Sequence, residues 1–479
     1  MGTHKLTPLR AMRIAVGHAA CGLKIDVLRH LPGIVSEWWD LFRRCPDATP
    51  FQSPAWLLPW WEFFGHGEPL VVTARRNEVL CGLALLYIYE TEREGPQLFF
   101  VGKAVSDYLD VLIAPDEQRT QVAQQLLDYA FVNAGNWRST DLDRLPSTSP
   151  LLHVQHPPGV RAIPVRDGVC PQLTLSGRRL EDFVKRKSTL INLRNRRRRA
   201  ERAGSVEFVT ADSSTVDELM GDLHRLHSKR WNLIGVAGMF SDQIMTAFLT
   251  EAARQLQTIG MLRLHAMRLN GDSIAVSFGM LHEGRAYLYN FGFETAYSTI
   301  APATQVIAFA IEQAAREGAY VFDFLQGDEP YKFATWGAEP HYTYRLRYFA
   351  SASEASNALF TQTEREGDDM ARDSRNDKDE RSPERRGDLE AQPDDLGNDP
   401  AQVGLDSAGQ DGSLQQVSSV RDATEESPEE LAETGQDLEA DAVEGVEDAA
   451  DHPERPVHTH EEYGSPEDVP PRNREDEAA

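Results

Sequence analysis

Cysteines and long apolar runs are scarce in this chain. It has four cysteines among 479 residues, far apart and without a CxxC pair: Cys21, Cys45, Cys81 and Cys170. Scattered single thiols are typical of a reducing compartment, and no Cys/His set has the spacing of a zinc site. The longest apolar run, residues 79–89, is too short to span a bilayer, and the first residues lack a signal-peptide core. We therefore predict a cytoplasmic protein with no membrane span and no metal.

Acidic residues are distributed unevenly along the chain. Residues 351–479 hold 38 Asp and Glu against 11 Lys and Arg, whereas residues 1–350 hold 37 acids and 38 bases. Phe360 and Tyr463 are the two aromatic residues of this acidic tail, which cannot bury enough apolar surface to offset the entropy of ordering. We predict a disordered tail that either keeps the protein solvated or attracts a basic partner.

The first 350 residues show one order of predicted elements twice. Each copy has helices, then antiparallel strands, then a long amphipathic helix and a further strand. In the second copy, Asn270-Gly271 predicts a tight hairpin turn. The repeat predicts an α+β fold of two tandem, similarly built domains. The predicted divisions are an N-terminal strand or extension (1–32), a first domain (33–175), a second domain (176–350) and the tail (351–479).

The long helices of the two copies begin differently. The first is preceded by Asp116 and Glu117, which we expect to cap its end and to repel a phosphate. The second has no acid from Tyr297 to Val306 and offers hydroxyl groups, including that of Thr304. Because helix N-termini bind anions, the second end is a candidate phosphate site, although an ordinary helix start explains it as well. The first domain is predicted to have no donor site.

The segment before this helix, LYNFGFE at residues 288–294, is predicted to be the strand that leads into the same site. If it separates from its neighbour there, its backbone groups can contact an acyl donor and stabilise an oxyanion. Asn290 and Tyr289 are then candidates to line the cleft, although core packing and edge pairing explain them equally well. Asp323 interrupts the apolar strand at 320–325, and a buried carboxylate needs a partner or a function. It is a candidate general base, and a structural salt bridge is the alternative.

A strongly basic helix precedes these elements. Residues 185–202 contain nine Lys and Arg and one acid, and Arg194 and Arg198 lie on the same helical face. Contact with nucleic acid or an anionic membrane is one interpretation. A solvated face that also lines the acceptor groove is favoured, because no aromatic residues alternate with the basic ones. The histidines of LHRLHSKRW are spaced i, i+3 without a third ligand, so we predict no metal there.

The second copy resembles the GNAT-type acetyltransferase domain of the cellulose-biosynthesis (CelD-like) family. The resemblance is carried by KSTLINLRNRRRRAERAGSVEF, LHRLHSKRW and YLYNFGFETAYSTIAPATQVIAFAIEQAAREGAYVFDFLQGDEPYK. That family is related to the Fem-type aminoacyl transferases, which have two tandem GNAT-like domains. The resemblance implies direct transfer of an acyl group from acetyl-CoA or another acyl-CoA. The implied acceptor is an amine or hydroxyl of a sugar or of a cell-envelope or exopolysaccharide precursor.

Residues and resemblance together predict a site with three parts. The donor is expected at Asn290, Phe291, Ala301, Pro302, Ala303 and Thr304. Asp323 and Tyr331 are the candidate catalytic residues, the tyrosine as a stacking group or a proton donor. The acceptor is expected at Arg194, Arg198, His227, Arg230, Trp231 and Lys332, where the resemblance implies that the lysine contacts an anionic part of the substrate.

The chain departs from the family pattern at the phosphate loop. Relatives usually have Pro-Gly before the long helix, where this chain has Ala301-Pro302-Ala303. A methyl group therefore lies where glycine lets the backbone approach a pyrophosphate. Two alternatives stay open. One is aminoacyl transfer from a charged tRNA held by the basic helix, and the other is an inactive GNAT-like scaffold.

Overall fold

The structure is a computed structural model. It describes residues 22–91, 95–135, 137, 139–155, 160–233 and 238–349. The predicted disordered tail lies outside the described residues, as does the start of the N-terminal extension. Within the described parts of the chain, no helix is both long and apolar enough to cross a membrane.

The first half of the chain, up to residue 174, begins and ends with a strand. Its elements are β1 (Leu23–Leu28), α1 (Val35–Arg44), α2 (Pro54–Phe64), β2 (Glu68–Arg76), β3 (Val79–Thr91), β4 (Gly95–Phe100), β5 (Leu112–Ile113), α3 (Arg119–Asn133), β6 (Ser139–Pro146) and β7 (Arg161–Thr174). The helix α2 begins with Pro54 at its first position. Proline fits this position because an N–H there would have no intrahelical acceptor, so its absence costs no hydrogen bond.

The second half, from residue 175 to 349, repeats this order. Its elements are α4 (Leu180–Phe183), α5 (Lys187–Ala203), β8 (Val206–Thr210), α6 (Val216–Leu233), α7 (Gln243–Thr258), β9 (Leu262–Leu269), β10 (Asp272–His282), β11 (Arg285–Phe293), α8 (Pro302–Arg316), β12 (Val321–Asp323), α9 (Pro330–Ala334) and β13 (Glu339–Phe349). The predicted hairpin between β9 and β10 is confirmed. Asn270 and Gly271 both have positive φ, 54° and 96°, as a tight two-residue turn requires.

All strands described belong to one mixed, largely antiparallel sheet. Their order is β1-β2-β3-β4-β6-β13-β7-β12-β11-β10-β9-β8, with β5 paired to β3. Counted from its own edge of the sheet, each half therefore has the same strand order: β1, β2, β3, β4 and β6 in the first half correspond to β8, β9, β10, β11 and β12 in the second. Each includes one parallel pair, β4 with β6 and β11 with β12.

The halves are joined by an exchange of their last strands. β7, from the first half, pairs with β12, and β13, from the second half, pairs with β6. β7 and β13 also pair with each other, from Glu339 opposite Gln172 to Phe349 opposite Arg161. The predicted boundary near residue 175 stays a prediction, and this pairing interlocks the two halves across it.

The apolar residues of DYLDVLI, residues 107–113, predict a strand, and this prediction is mostly wrong. Within it, Leu112–Ile113 alone pairs with β3, and the preceding residues form a buried loop. The loop between Val101 and Asp110 contacts the second half of the chain. There the hydroxyl of Tyr289 donates a hydrogen bond to the carbonyl of Val105 at 2.9 Å. Trp56 of α2 also packs edge-on against Tyr289 and Phe248, with ring centroids 5.1 Å apart in both pairs. A shared aromatic core therefore holds this loop against both halves.

Candidate active site

The parallel strands β11 and β12 separate after a short pairing. They are paired at three positions, the last of which places Tyr287 opposite Asp323. Beyond it, β11 continues beside β10 as far as Phe293, whereas the chain after β12 turns toward β7. There the N–H of Phe324 donates to the carbonyl of Pro171 at 2.9 Å. We call the region beyond this last pair, between β11 and the chain after β12, the opening, and Tyr287 and Asp323 lie at its apex.

The helix α8 begins beside the strand that forms one side of this opening. Its N-cap is Ala301, with φ 43°, and neither a capping side chain nor an acid is found in its described first turn. The N–H groups of the first turn of a helix have no intrahelical acceptor, so those of Ala303 and Thr304 remain available to an anion. Ala301, Pro302 and Ala303 are buried and Thr304 is half-buried, so the anion would contact backbone rather than long side chains.

Aromatic side chains lie between the separating strands. Tyr331 of α9 packs edge-on against Phe291 of β11, with ring centroids 6.2 Å apart. It also packs edge-on against Phe324, which follows β12, at 6.3 Å. Asn290 is buried, and its amide contacts the Met239 sulfur at 3.5 Å. Phe291 and Tyr331 thus lie at the opening, whereas Asn290 contacts the segment before α7.

Asp323 is buried at the junction of the two halves. Its Oδ2 accepts hydrogen bonds from the Tyr108 hydroxyl at 2.8 Å and from Gln172 Nε2 at 2.9 Å. Its Oδ1 accepts from the Leu325 N–H at 2.7 Å. Burial raises the pKa of Asp323 to about 6, although these hydrogen bonds oppose the shift. The carboxylate is therefore fixed in position and can exchange a proton near neutral pH, as a general base requires.

A second buried carboxylate, Asp107, was missed by the sequence analysis. It is 1% exposed and lies in the loop that the sequence suggested was a strand. Burial raises the pKa of Asp107 to about 7, and the Arg144 guanidinium opposes the shift. The run SDYLD, with two acids among apolar residues, was the signal that could have identified it.

Lys332 follows a glycine turn at Gly327 in the sequence, which predicts an exposed loop residue, but the structure buries it. It lies in α9, its side chain is 0% exposed, and its ammonium is 2.7 Å from the Glu329 carboxylate. The ammonium also donates to the carbonyls of Gln326 at 3.0 Å and Gly327 at 3.3 Å. The expectation of a solvent-facing lysine is therefore wrong. The bends of the chain after β12 bring several carbonyls around one ammonium, which short-range sequence patterns do not reveal.

The predicted acceptor patch on α6 is not a single exposed surface. His227 is 3% exposed and packs against Phe240, and burial lowers its pKa to about 3, so the imidazole is neutral. Its backbone is pressed against Gly292, where an added Cβ would lie 2.7 Å from the His227 nitrogen. Arg230 is half-buried with its guanidinium 4.8 Å from the Phe293 ring centre. The side chain of Trp231 lies outside the described part of the structure.

Arg194 and Arg198 lie together in a groove between α5 and α8. The groove has a volume of about 620 Å³ and is floored by apolar side chains that include Leu193 and Phe309. Arg194 is paired with Glu181 at 2.8 Å. The basic helix also reaches the turn before α8, because Arg199 donates to the Thr299 carbonyl at 3.2 Å. The basic helix therefore lies beside the candidate donor site, and its predicted place along the acceptor groove stays a prediction.

A second groove is lined by Gln172, one of the hydrogen-bond partners of Asp323. It lies between the end of β7, the start of α5 and α9, with a volume of about 410 Å³. Gln172 lines it and, as described, donates to Asp323. Lys185 and Arg186 line the same groove opposite Asp182 and Glu339. This groove connects the protein surface with the buried carboxylate through one amide side chain.

The corresponding helix start in the first half is not capped as predicted. The N-cap of α3 is Gln118, and among the described side chains neither Asp116 nor Glu117 caps the helix. Glu117 instead forms two hydrogen bonds with Arg76, at 2.7 and 2.8 Å, which lower its pKa. The expectation of two acids bonded to the helix end is wrong, because an arginine on the neighbouring strand competes for the carboxylate.

Comparison with known proteins identifies the domain type. Residues 187–333 match the family described as "Acetyltransferase (GNAT) domain". No curated protein matches the sequence. The family match is to the general domain, so the narrower resemblance to the cellulose-biosynthesis family stays a prediction.

Several solved structures are similar to this chain. FemX matches over 70% of this chain and 99% of its own, with 10% identity and a TM-score of 0.49. A tandem GNAT protein from the clavulanic acid biosynthesis pathway matches over 69% and 99%, with 14% identity and a TM-score of 0.40. L-PGS from Bacillus licheniformis matches over 70% and 96%, with 12% identity and a TM-score of 0.43. The predicted fold of two similarly built α+β halves is confirmed by the repeated strand order of the sheet. The prediction of an acyltransferase enzyme is confirmed by the GNAT domain at residues 187–333.

Proposed function

We propose that the protein transfers an acyl group directly from acetyl-CoA or another acyl-CoA to an amine or hydroxyl of a sugar or cell-envelope precursor. The observation that carries the proposal is the separation of β11 and β12 beside the uncapped start of α8. This arrangement offers a long thioester both an anion site and an unpaired strand edge. Asp323, at the apex of the opening, lies where such a donor would end.

The donor would bind by its pyrophosphate at the start of α8. The backbone N–H groups of Ala303 and Thr304 and the positive end of the helix dipole favour an anion there. The chain of the donor would then follow β11 toward the apex, past Phe291. Backbone N–H groups of β11 beyond Tyr287 face the opening without a β12 partner and would stabilise the oxyanion that forms on the thioester.

Asp323 would accept a proton from the acceptor, and Tyr331 would donate one to the leaving group. As the acceptor nitrogen or oxygen forms its bond to the thioester carbon, its proton passes to the Asp323 carboxylate. The carbon–sulfur bond then breaks, and the Tyr331 hydroxyl donates a proton to the leaving sulfur. Holding donor and acceptor in line would supply much of the rate enhancement. The acceptor would approach through the 410 Å³ groove that Gln172 lines.

A second candidate is aminoacyl transfer from a charged tRNA. The basic helix α5, with its arginines, contacts the turn before α8 through Arg199 and so lies next to the same donor site. A polyanionic donor would bind with strong salt dependence, whereas acyl-CoA would not. A third outcome is a scaffold that binds a donor but transfers nothing.

The test is a titration of acetyl-CoA, longer acyl-CoAs and a charged tRNA into the whole chain, followed by assays with a panel of amino sugars. The proposal expects acyl-CoA to bind and to be consumed in the presence of an acceptor. Tight binding of charged tRNA alone would favour the second candidate. Donor binding without turnover across a broad acceptor panel would favour the scaffold, and no binding of any donor would overturn all three.

A further inference from the structure

Asp107 has no hydrogen-bond partner among the described residues. Both carboxylate oxygens are buried, and no donor lies within bonding distance of either. Asp323 in contrast accepts three hydrogen bonds. A buried carboxylate without partners is costly, so folded proteins retain one where it has a function.

The loop that carries Asp107 is held on both sides of the residue. Trp56 Nε1 donates to the Ser106 hydroxyl at 3.0 Å, and the Tyr108 hydroxyl donates to Asp323 at 2.8 Å. The Leu109 N–H donates to the Arg144 carbonyl at 3.0 Å. These contacts come from several elements of the sheet and helix layer, so the loop is not able to swing the carboxylate away to solvent.

Fixed charges around Asp107 leave it without a counter-ion. Arg144 and Lys332 favour its ionised form, whereas Asp323 and Glu329 oppose it, and these effects are reflected in its pKa. Both cations are already engaged. Lys332 is paired with Glu329 at 2.7 Å, and Arg144 has its guanidinium 3.7 Å from Asp167. An ionised Asp107 would therefore benefit from one further positive charge.

Asp107 also lies close to the apex of the opening. Burial is the main cause of the raised pKa of Tyr289 on β11 and of Cys170 on β7, and the charge of Asp107 raises both pKa values further. Asp323 on β12 also acts on Cys170, and the residue after Asp107, Tyr108, donates its hydroxyl hydrogen bond to Asp323. The carboxylate of Asp107 therefore lies near the strands that meet where β11 and β12 separate, although it is contributed by the first half of the chain.

We propose that Asp107 binds the positively charged amino group of the acceptor, which makes the acceptor of the proposed function an amine rather than a hydroxyl compound. This inference rests on the proposed function. An ammonium group supplies the missing charge and three N–H donors. It then loses one proton to the Asp107 carboxylate, and the neutral amine forms the new bond to the thioester carbon. As the carbon–sulfur bond breaks, the second nitrogen proton passes to Asp323 and the leaving sulfur takes a proton from the Tyr331 hydroxyl, as in the proposed function. Asp107 releases its proton to solvent after the amide product leaves.

The rival explanation is that Asp107 serves as a partner for Arg144 alone. One guanidinium nitrogen of Arg144, Nη1, also has no hydrogen-bond partner among the described residues, and a small movement would join the two. The two explanations predict opposite changes in stability when the Asp107 carboxylate is removed. Removing a salt bridge destabilises the protein, whereas removing an unpartnered buried charge stabilises it.

The experiment uses the whole chain, Asp107→Asn and the control Asp110→Asn. Asp110 lies in the same loop, but its carboxylate accepts hydrogen bonds from Ser149 and the Val111 N–H, both at 2.8 Å. Burial raises the folded-state pKa of Asp107 above its unfolded value, so wild type loses stability as pH rises from about 4 to about 7. Asp107→Asn should therefore melt several degrees above wild type at pH 8 and closer to it at pH 5. Burial raises the pKa of Asp110 to about 7 as well, so Asp110→Asn should follow the same trend and serves as the control for amine binding only. The control for stability is Glu117→Gln, which loses a carboxylate paired with Arg76 and should melt below wild type at pH 8. A lower melting temperature of Asp107→Asn at pH 8 would establish the Arg144 salt bridge and overturn the proposal.

A second arm tests amine binding without any acyl donor, so that it remains informative if no acyl transfer is found. Ethylammonium chloride is titrated against the melting temperature of each protein at pH 8, with ethanol and sodium chloride as controls. We expect ethylammonium to stabilise wild type and Asp110→Asn, with at least about tenfold weaker binding to Asp107→Asn. Equal ethylammonium binding by all three proteins, or none by wild type, would contradict the amine site.

Discussion

The two halves of the chain share a strand order but differ where their parallel strands separate. In the first half, β4 and β6 are paired at two positions, and the Lys103 ammonium then lies 2.9 Å from Asp143 and 4.7 Å from the centre of the Phe99 ring. In the second half, the aromatic side chains of Phe291 and Tyr331 lie at the same place. The first opening is closed by an ion pair, and the second is lined by rings.

The helices that follow are alike in having neither a capping side chain nor an acid in their described first turns. They differ in what precedes them. Before α3, Glu117 is bonded to Arg76, and α3 itself begins with Arg119. Before α8, the segment from Tyr297 to Ala301 contains no acid. The comparison shows how a repeated scaffold can divide its roles. One copy uses charge pairs to close its opening, and the other keeps backbone groups and a fixed carboxylate available for a ligand.

The largest effect is expected for the buried ion pair of the second half. Lys332→Met leaves Glu329 buried without its cation, so it should lower the free energy of unfolding by about 3–5 kcal/mol. The double variant Lys332→Met/Glu329→Gln should recover much of this loss. Urea denaturation measures both. If Lys332→Met were as stable as wild type, the lysine would not be structural, and the earlier interpretation of an exposed acceptor contact would regain support.

The next effect concerns the general base. Asp323→Asn should lower kcat about 100-fold or more, because the amide does not accept the acceptor's proton. In wild type, kcat/KM should rise with pH to a plateau above about pH 6, the pKa of Asp323, and the variant should lose this dependence. Asp141→Asn, in the first half, is the control and should keep the activity of each folded molecule. A variant as active as wild type would remove Asp323 from the chemistry.

A smaller effect tests the difference between the helix starts. Thr304→Asp places a carboxylate in the first turn of α8 and should weaken donor binding at least about tenfold, or 1.4 kcal/mol. Gln121→Asp adds the same charge at the corresponding turn position of α3, where we expect no change in affinity. Titration calorimetry of the donor compares the two. Equal losses from both substitutions would show that the halves do not differ as binding sites.

The smallest effect concerns backbone strain at the donor loop. Ala301 has φ 43°, a conformation that costs an L-residue about 1 kcal/mol, so Ala301→Gly should stabilise the protein by up to that amount. Gln118, at the N-cap of α3, has φ −74°, and Gln118→Gly should give no such gain. Thermal denaturation distinguishes them. A loss of stability in Ala301→Gly would mean that the alanine methyl group contributes packing that exceeds the strain.

Local patterns were sufficient for much of the second half. Three local patterns predicted the right element at nearly the right position: the Asn270-Gly271 turn, the helical spacing of apolar residues in α8 and the run of basic residues in α5. Each depends on residues close together in the chain. The place of β11 directly before the long helix was also predicted, whereas its separation from β12 was considered only as a condition for donor binding.

Features that depend on distant pairing were not predictable. β7 contains Pro164, Gly168 and Pro171, which argue against a strand, yet β12 and β13 pair with it from both sides. The burial of Lys332 and the position of Asp107 depend on which loops the exchange of strands brings together. Sequence spacing does not encode that exchange, because the partners are separated by more than a hundred residues.

The central claim is that the second half, and not the first, binds the acyl donor. Hydrogen exchange of the whole chain, with and without acetyl-CoA and with a charged tRNA in parallel, tests it most directly. The account predicts that a bound donor protects the amides of Ala303 and Thr304 and those of residues 288–292, while residues 119–122 at the start of α3 exchange unchanged. Protection centred on the start of α3, with none at the start of α8, would contradict it.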